Sequence, residues 1–368
     1  MLNRRKFLKE VTTASGIVFV GCGRADVSAQ SEPFANAENK KRAPVTLRGR
    51  RVRTVDIHAH CLVPKASALL KQSPPPYEVG HFLTGQALAE RTNKMDAQGI
   101  DLAVLSINPI WYAADRDLVT EVIKIQNEAL AEFCASHKDR FAAFASVALQ
   151  FPDLAAEQLD VAVKKMGLRG AAIGGSVSGQ ELADPKFHPF FAKAEELDVV
   201  VFIHPQASAV LNDRLKGNGP LGVTVWNPLE TTLALTHLIF EGTLDKFPRL
   251  KICAAHGGGY LPSYMHRSDH GCEVIPNQCK PGVPQKHPTE YLKQMYYDSL
   301  VFTPEALRHL AAEVGADRIV MGTDYPFPWV SAPVDHILKT PGLSDAQREA
   351  ILGGTAIKLL RLGPPSTQ

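Results

Sequence analysis

Two histidines, two residues apart, end the stretch Thr54-Val55-Asp56-Ile57-His58-Ala59-His60. On an extended strand, side chains at i and i+2 point to the same face. Two neutral imidazoles presented together can grip one divalent ion. Three more apolar runs end in a similar way. Residues 199–203 run into His204-Pro205, residues 250–255 into His256-Gly257-Gly258-Gly259, and residues 318–323 into Asp324-Tyr325-Pro326. Each is a continuous apolar run, then a ligand-type residue, then a turn signal, the pattern of a strand buried on both faces. Core packing alone gives no reason for the whole set to end in His and Asp.

Ligands gathered this way need strands that finish on one side of the fold. Strand patterns fall at residues 52–57, 102–107, 142–147, 170–173, 199–203, 251–255, 295–299 and 318–321. Helical periods fall between them, at 85–98, 117–137, 152–166, 189–197, 229–240, 303–314 and 345–360. Ser344 before Asp345-Ala346-Gln347-Arg348-Glu349 is a good N-cap for the last. This alternation predicts an α/β fold, a (β/α)8 TIM barrel with its chemistry at the C-terminal ends of the strands. A doubly wound open sheet is the alternative, although it does not normally collect ligands from strands so far apart.

The 368 residues, 45% hydrophobic and 21% charged, suit one large or two medium globular domains. A formal net charge of +2 gives no reason to expect a nucleic-acid partner. No glycine-rich dinucleotide or Walker loop and no Gly-x-Ser-x-Gly elbow occurs. The fourth strand pattern, Leu168-Arg169-Gly170-Ala171-Ala172-Ile173-Gly174, holds no lysine, which argues against a binuclear site bridged by a carbamylated lysine. Asn3-Arg4-Arg5-Lys6-Phe7-Leu8-Lys9 and the apolar residues 11–20 resemble a twin-arginine export signal. Residues 1–29 are therefore expected to be a signal peptide and the protein periplasmic. Phe19-Val20-Gly21-Cys22 resembles a lipoprotein box, which would place a lipid anchor at Cys22; Val27-Ser28-Ala29 offers a different cleavage site. Residues 30–50 are polar without an apolar period and read as a flexible lead-in, with residues 51–363 as the barrel domain. Cys61, Cys134 and Cys253 read as core thiols. Cys272 and Cys279 flank a loop that a disulfide can close, with a Cα separation that the sequence does not fix.

The set His58-x-His60, His204-Pro205, His256-Gly-Gly-Gly and Gly322-Thr323-Asp324-Tyr325-Pro326 resembles the amidohydrolase superfamily. Within it, the likeness is to the metal-dependent decarboxylase branch typified by aminocarboxymuconate semialdehyde decarboxylase. Arg91-Thr92-Asn93-Lys94-Met95-Asp96-Ala97-Gln98-Gly99-Ile100-Asp101, Leu229-Glu230-Thr231-Thr232 and Phe247-Pro248-Arg249-Leu250-Lys251 extend it across residues 51–360. The resemblance implies His58, His60, His204 and Asp324 as ligands of one divalent ion. It implies His256 as the acid–base group beside it, with Asp324 the other candidate to move the proton. Arg91 and Arg267 match positions that bind the substrate carboxylate, Arg267 reaching in from the neighbouring subunit of a homodimer. Trp226 reads equally as a wall for an aromatic substrate or as core.

Three neutral imidazoles and one carboxylate bring one negative charge to a doubly charged ion, which stays electrophilic. Zinc suits such a nitrogen-rich site, and manganese is the rival where substrate adds oxygen ligands. Asp298, at the seventh strand end, can orient a ligand or be an ordinary satisfied polar group. The expected activity is nonoxidative decarboxylation of a small aromatic or unsaturated carboxylic acid. Hydrolysis of a lactone, amide or carbon–carbon bond at the same metal is the alternative.

Overall fold

Continuous apolar runs separated by amphipathic helices bury best as parallel strands with helices packed outside. The computed structural model describes residues 44–71, 81–206, 214–217, 219–280 and 282–364. Its parallel strands are β1 (Val55–His60), β2 (Leu102–Ser106), β3 (Phe141–Ala143), β4 (Gly170–Gly174), β5 (Val200–His204), β6 (Lys251–Ala254), β7 (Tyr296–Asp298) and β8 (Ile319–Val320). Strands β1 to β3 pair in order in one sheet, and β4 to β8 in another. A parallel bridge between Ala145 and Ala171 links the end of β3 to β4, and one between Ala59 and Tyr325 links β1 to the segment after β8. The Ile57 N–H also donates to the Met321 carbonyl at 2.9 Å.

The helices between them are α1 (Gly85–Ala97), α2 (Arg116–Ser136), α3 (Pro152–Lys164), α4 (His188–Leu197), α5 (Asn227–Phe240), α6 (Leu261–Val274) and α7 (Pro304–Val314). Several start on proline, whose missing N–H costs nothing in a first turn. Asp115 and Thr303 cap α2 and α7 by accepting from Leu118 N and Ala306 N. Alternate strand residues divide between two cores. Ile57, Val104, Val200, Phe202 and Cys253 pack inside the strand layer, while Leu105, Val201, Ile203 and Ile252 pack against the helices. Each such side chain contributes about 1.5–3 kcal/mol when fully buried.

Four expectations change. The first strand runs through His60 rather than stopping at residue 57, so both histidines lie on it. Residues 44–50, expected within the flexible lead-in, hold a hairpin strand: Thr46–Leu47 pairs antiparallel with Arg50–Arg51. Val45 and Leu47 pack on the core, and Arg48 and Arg50 pair with Asp345 and Glu349, contacts that a polar sequence does not announce. Helix α6 was not expected, because Leu261–Val274 has a polar surface and contains Gly271. The single helix expected at 345–360 is interrupted by a wide turn at Ala350–Gly354. Cys272 and Cys279 form a disulfide with Cα atoms 5.7 Å apart, and Cys61 and Cys253 are buried thiols. Among the described residues, no helix is long and apolar enough to cross a membrane.

The wide turn exists because its backbone sits against the start of β1. A Cβ on Gly353 would fall 2.1 Å from the Arg53 carbonyl oxygen. Gly353→Ala should therefore destabilise the fold by about 1–3 kcal/mol, the usual cost of overpacking. The measurement is the urea unfolding midpoint, with Gly363→Ala, whose added Cβ meets nothing within 4 Å, as the neutral control. An unchanged midpoint for Gly353→Ala would show that this turn can retreat from β1.

Candidate metal centre and active site

The site is assembled where β1, β5, β6 and β8 end. Pairing of β1 with β2 shifts register between Asp56 and Ala59, a bulge of the kind that re-aims side chains. Asp56 fixes β1 to the segment after β8. Its Oδ1 accepts from His58 N at 3.1 Å and Thr323 N at 3.0 Å, and its Oδ2 from Thr323 Oγ1 at 2.6 Å. Burial pushes the Asp56 carboxyl up to about 6, against the pull of these donors. The Asp324 N–H donates to the His58 carbonyl at 2.8 Å, completing the clasp.

Five side chains meet there. His58 Nε2 lies 3.0 Å from His60 Nε2 and 3.2 Å from Asp324 Oδ1; His60 Nε2 is 2.8 Å from that same oxygen. His256 Nε2 is 3.7 Å from Asp324 Oδ2, and the His204 ring centre is 4.5 Å from that of His60. His58, His204, His256 and Asp324 each offer a ligand atom, all within 4.8 Å of one another. His58, His60, His204 and Asp324 are at most 6% exposed, and the Phe202 ring lies 5.0 Å from that of His58. Two of these rings are held from behind: His58 Nδ1 is 2.6 Å from Asp298 Oδ2, and His60 Nδ1 is 3.2 Å from Ser106 Oγ.

These groups fit a metal. Both ring nitrogens of His204 and Nδ1 of His256 are buried without a hydrogen-bond partner. A buried polar atom left unmade costs about 1–3 kcal/mol, so such orphans beside a carboxylate and two further imidazoles call for a further partner. Burial lowers the His60 imidazole and, with its histidine neighbours, drives His204 well below the usual range, keeping both in the neutral, ligating form. Burial lowers His58 too, but Asp324 and Asp298 beside it win and raise it to about 10. Burial raises Asp324, yet the surrounding histidines hold it well below the usual carboxylate range. The concentrated negative charge favours a cation, and the site is that of a single divalent ion.

His256 and Asp324 share a backbone peculiarity. Their φ angles are 54° and 61°, in the left-handed region where a non-glycine residue is strained by roughly 1–3 kcal/mol. The glycines after His256 are there for space. A Cβ on Gly257 would be 2.7 Å from Val301 Cγ1, on Gly258 2.6 Å from Tyr297 Cδ1, and on Gly259 2.0 Å from the Pro228 carbonyl oxygen.

The remaining candidates divide. Arg91, on α1, is buried beside the cluster: its Nη2 donates to the His60 carbonyl at 2.6 Å and its guanidinium lies 4.2 Å over the Tyr325 ring. Arg267 is exposed on α6 and is not among the groups gathered at the metal site. Trp226 is half-buried in the wide turn before α5, its Nε1 donating to the Gln206 carbonyl at 2.5 Å, two residues beyond His204. Three neighbours escaped sequence reasoning: Asp56, Ser106 and Glu230. Glu230 accepts from Gln206 N and Ser176 Oγ, and burial pushes its carboxyl up to about 7. Its available signal is an acid on the apolar face of a helical period; Ser106 has none, being an ordinary strand-end residue.

His204→Ala removes a ligand whose two ring nitrogens have no other partner. It should cut bound metal well below one per chain, measured by elemental analysis after gel filtration. His256→Asn should keep its metal and lose activity about 100- to 10,000-fold, the worth of general acid–base assistance. Parallel loss of metal in the second variant would make His256 a ligand.

The chain matches the family model described as Amidohydrolase over residues 55–362. It is 34% identical to the 2-amino-3-carboxymuconate-6-semialdehyde decarboxylase of Dictyostelium discoideum, across 74% of this chain and 76% of that one. It is 33% identical to the gamma-resorcylate decarboxylase of a Rhizobium species, across 74% and 86%. Its fold matches the dihydroxybenzoic acid decarboxylase of a Polaromonas species, which has bound manganese and the inhibitor 2-nitroresorcinol. The TM-score is 0.73 at 28% identity, covering 84% of this chain and 97% of that one. These relatives correct one expectation. Set against these decarboxylases, the twin-arginine signal and periplasmic location do not stand. The residues on which they rested, Cys22 included, lie outside those described. With the family model spanning the ligand-bearing strands from first to last, the chain is an enzyme of the amidohydrolase family.

Proposed function

We propose that this enzyme is a metal-dependent, nonoxidative decarboxylase of a small aromatic or unsaturated carboxylic acid. The observation that carries the reading is the buried cluster of His58, His60, His204, His256 and Asp324, with the guanidinium of Arg91 against it. Decarboxylases of 2-amino-3-carboxymuconate-6-semialdehyde and gamma-resorcylate among its relatives support that chemistry. The same reading closes the parallel strands into a (β/α)8 barrel, supported by the bridges Ala145–Ala171 and Ala59–Tyr325.

In this reading His58, His60, His204 and Asp324 hold the ion, which supplies an electrophile for the substrate's oxygens. Manganese in the Polaromonas neighbour supports manganese here, and the nitrogen-rich ligand set supports zinc. Arg91 places a fixed positive charge beside the substrate carboxylate, where a planar guanidinium matches a planar acid. Trp226, tied to the loop after β5, walls the aromatic ring. The bond from the ring carbon to the carboxylate breaks, CO2 leaves, and the electron pair left on carbon takes a proton from His256. Arg267, exposed on α6, completes the carboxylate site of a second copy in a homodimer.

Metal-loaded protein incubated with a panel of hydroxybenzoic acids, including 2,6-dihydroxybenzoate, should release one CO2 per acid consumed. Incorporation of water oxygen without CO2, with lactone or amide substrates alone, would replace decarboxylation by hydrolysis.

Arg267→Ala should raise the substrate KM strongly and leave metal content unchanged. Mixing it with His58→Ala should restore part of the activity, because a hybrid dimer holds one site with intact ligands and a partner's intact arginine. Absence of restoration, once subunit exchange has been demonstrated by mass, removes Arg267 from the shared site.

A further inference from the structure

Asp298, at the end of β7, is fully buried and has four N–H donors around its two oxygens. Oδ2 takes His58 Nδ1 at 2.6 Å and the backbone N–H of His256 at 2.9 Å. Oδ1 takes the backbone N–H of Gly257 at 2.8 Å and of Leu300 at 3.0 Å. One donor belongs to β1, two to the turn after β6, and one to the segment that leaves β7.

We propose that Asp298 is a positioning residue that couples the metal ligand His58 to the proton-carrying His256. The inference rests on the roles given above to those two histidines. On the ligand side, a carboxylate at Nδ1 would keep a proton there and leave Nε2, 3.2 Å from Asp324 Oδ1, to offer its lone pair to the metal when one is bound. On the other side, His256 sits at a φ of 54°, and something must hold it there. Two successive amide N–H groups captured by one acid do so, in the manner of an anion-binding nest. Both oxygens are fully used. An asparagine would offer one acceptor oxygen and turn an NH2 group toward N–H donors, so it cannot reproduce the arrangement.

The test is Asp298→Asn, read in two ways. Metal dissociation from the purified protein, measured by chelator competition without substrate, should be about 10- to 100-fold easier than in wild type. Activity at saturating metal should then show a fall in kcat with KM within about twofold of wild type, the sign of a displaced His256. Wild-type metal affinity overturns the ligand half of the coupling, and an unchanged kcat at saturating metal overturns the other half. Should the variant not fold, wild-type protein loaded with zinc and labelled with 15N-histidine carries the test. The His58 ring, assigned against a His58→Gln spectrum, should show a slowly exchanging proton on Nδ1. A proton on Nε2 overturns the proposal. The chelator and ring-nitrogen readouts need no substrate, so they stand or fall separately from the decarboxylase reading.

Discussion

Ionisable groups crowded above an apolar interior must share a cation or be destabilised. Here the constraint is acute, because Phe202 and its neighbours fill the space beneath His58 and His204. Four nearly inaccessible side chains, with His256 beside them, gather from the ends of β1, β5 and β8. Asp56 and Asp298 stand behind them and fix their backbone and ring orientation. Two parallel sheets joined by single bridges supply the geometry: β1 meets the segment after β8, so residues far apart in sequence arrive at one place. Burial of strand residues in two cores resists the repulsion that such a cluster would otherwise exert on its supports.

Much of this arrangement is readable from the chain, and the reason differs by residue. His58 and His60 are visible because a period-2 strand leaves no other place for i and i+2 side chains than one face. His204 and Asp324 are visible because a continuous apolar run that stops at a polar residue marks a strand end. The limits of reading are equally physical. Leu261–Val274 folds as a helix because it is held by its neighbours, with Met265 and Leu261 buried, and not because its sequence has a helical apolar period. Residues 44–51 are ordered through contacts with residues some 300 positions away, as in Arg48 to Asp345, which local pattern cannot supply. Ser106 and Glu230 become site neighbours only once β2, β4 and α5 are side by side.

The relatives do not share one substrate. Their names carry acids of different build, an unsaturated semialdehyde in one and a dihydroxylated benzene ring in the other. A ligand cluster can serve both, since it addresses the carboxylate and an adjacent oxygen rather than the remainder of the molecule. In the proposed reading, discrimination then belongs to the loops that follow β5 and β8, where Gln206, Trp226 and Phe327 lie. The Trp226–Gln206–Glu230 chain of contacts gives one of these loops a rigid footing.

The glycine run after His256 bears on how such an enzyme diversifies. Cβ atoms at positions 257, 258 and 259 would each meet a neighbour within 2.7 Å, and at 259 the neighbour is main chain. A side chain at 258 or 259 must displace Tyr297 of β7 or the main chain at the start of α5, and one at 257 must displace Val301. The turn therefore tolerates little variation. A change of specificity is then expected in other loops, with the glycine turn and the place of His256 left as they are.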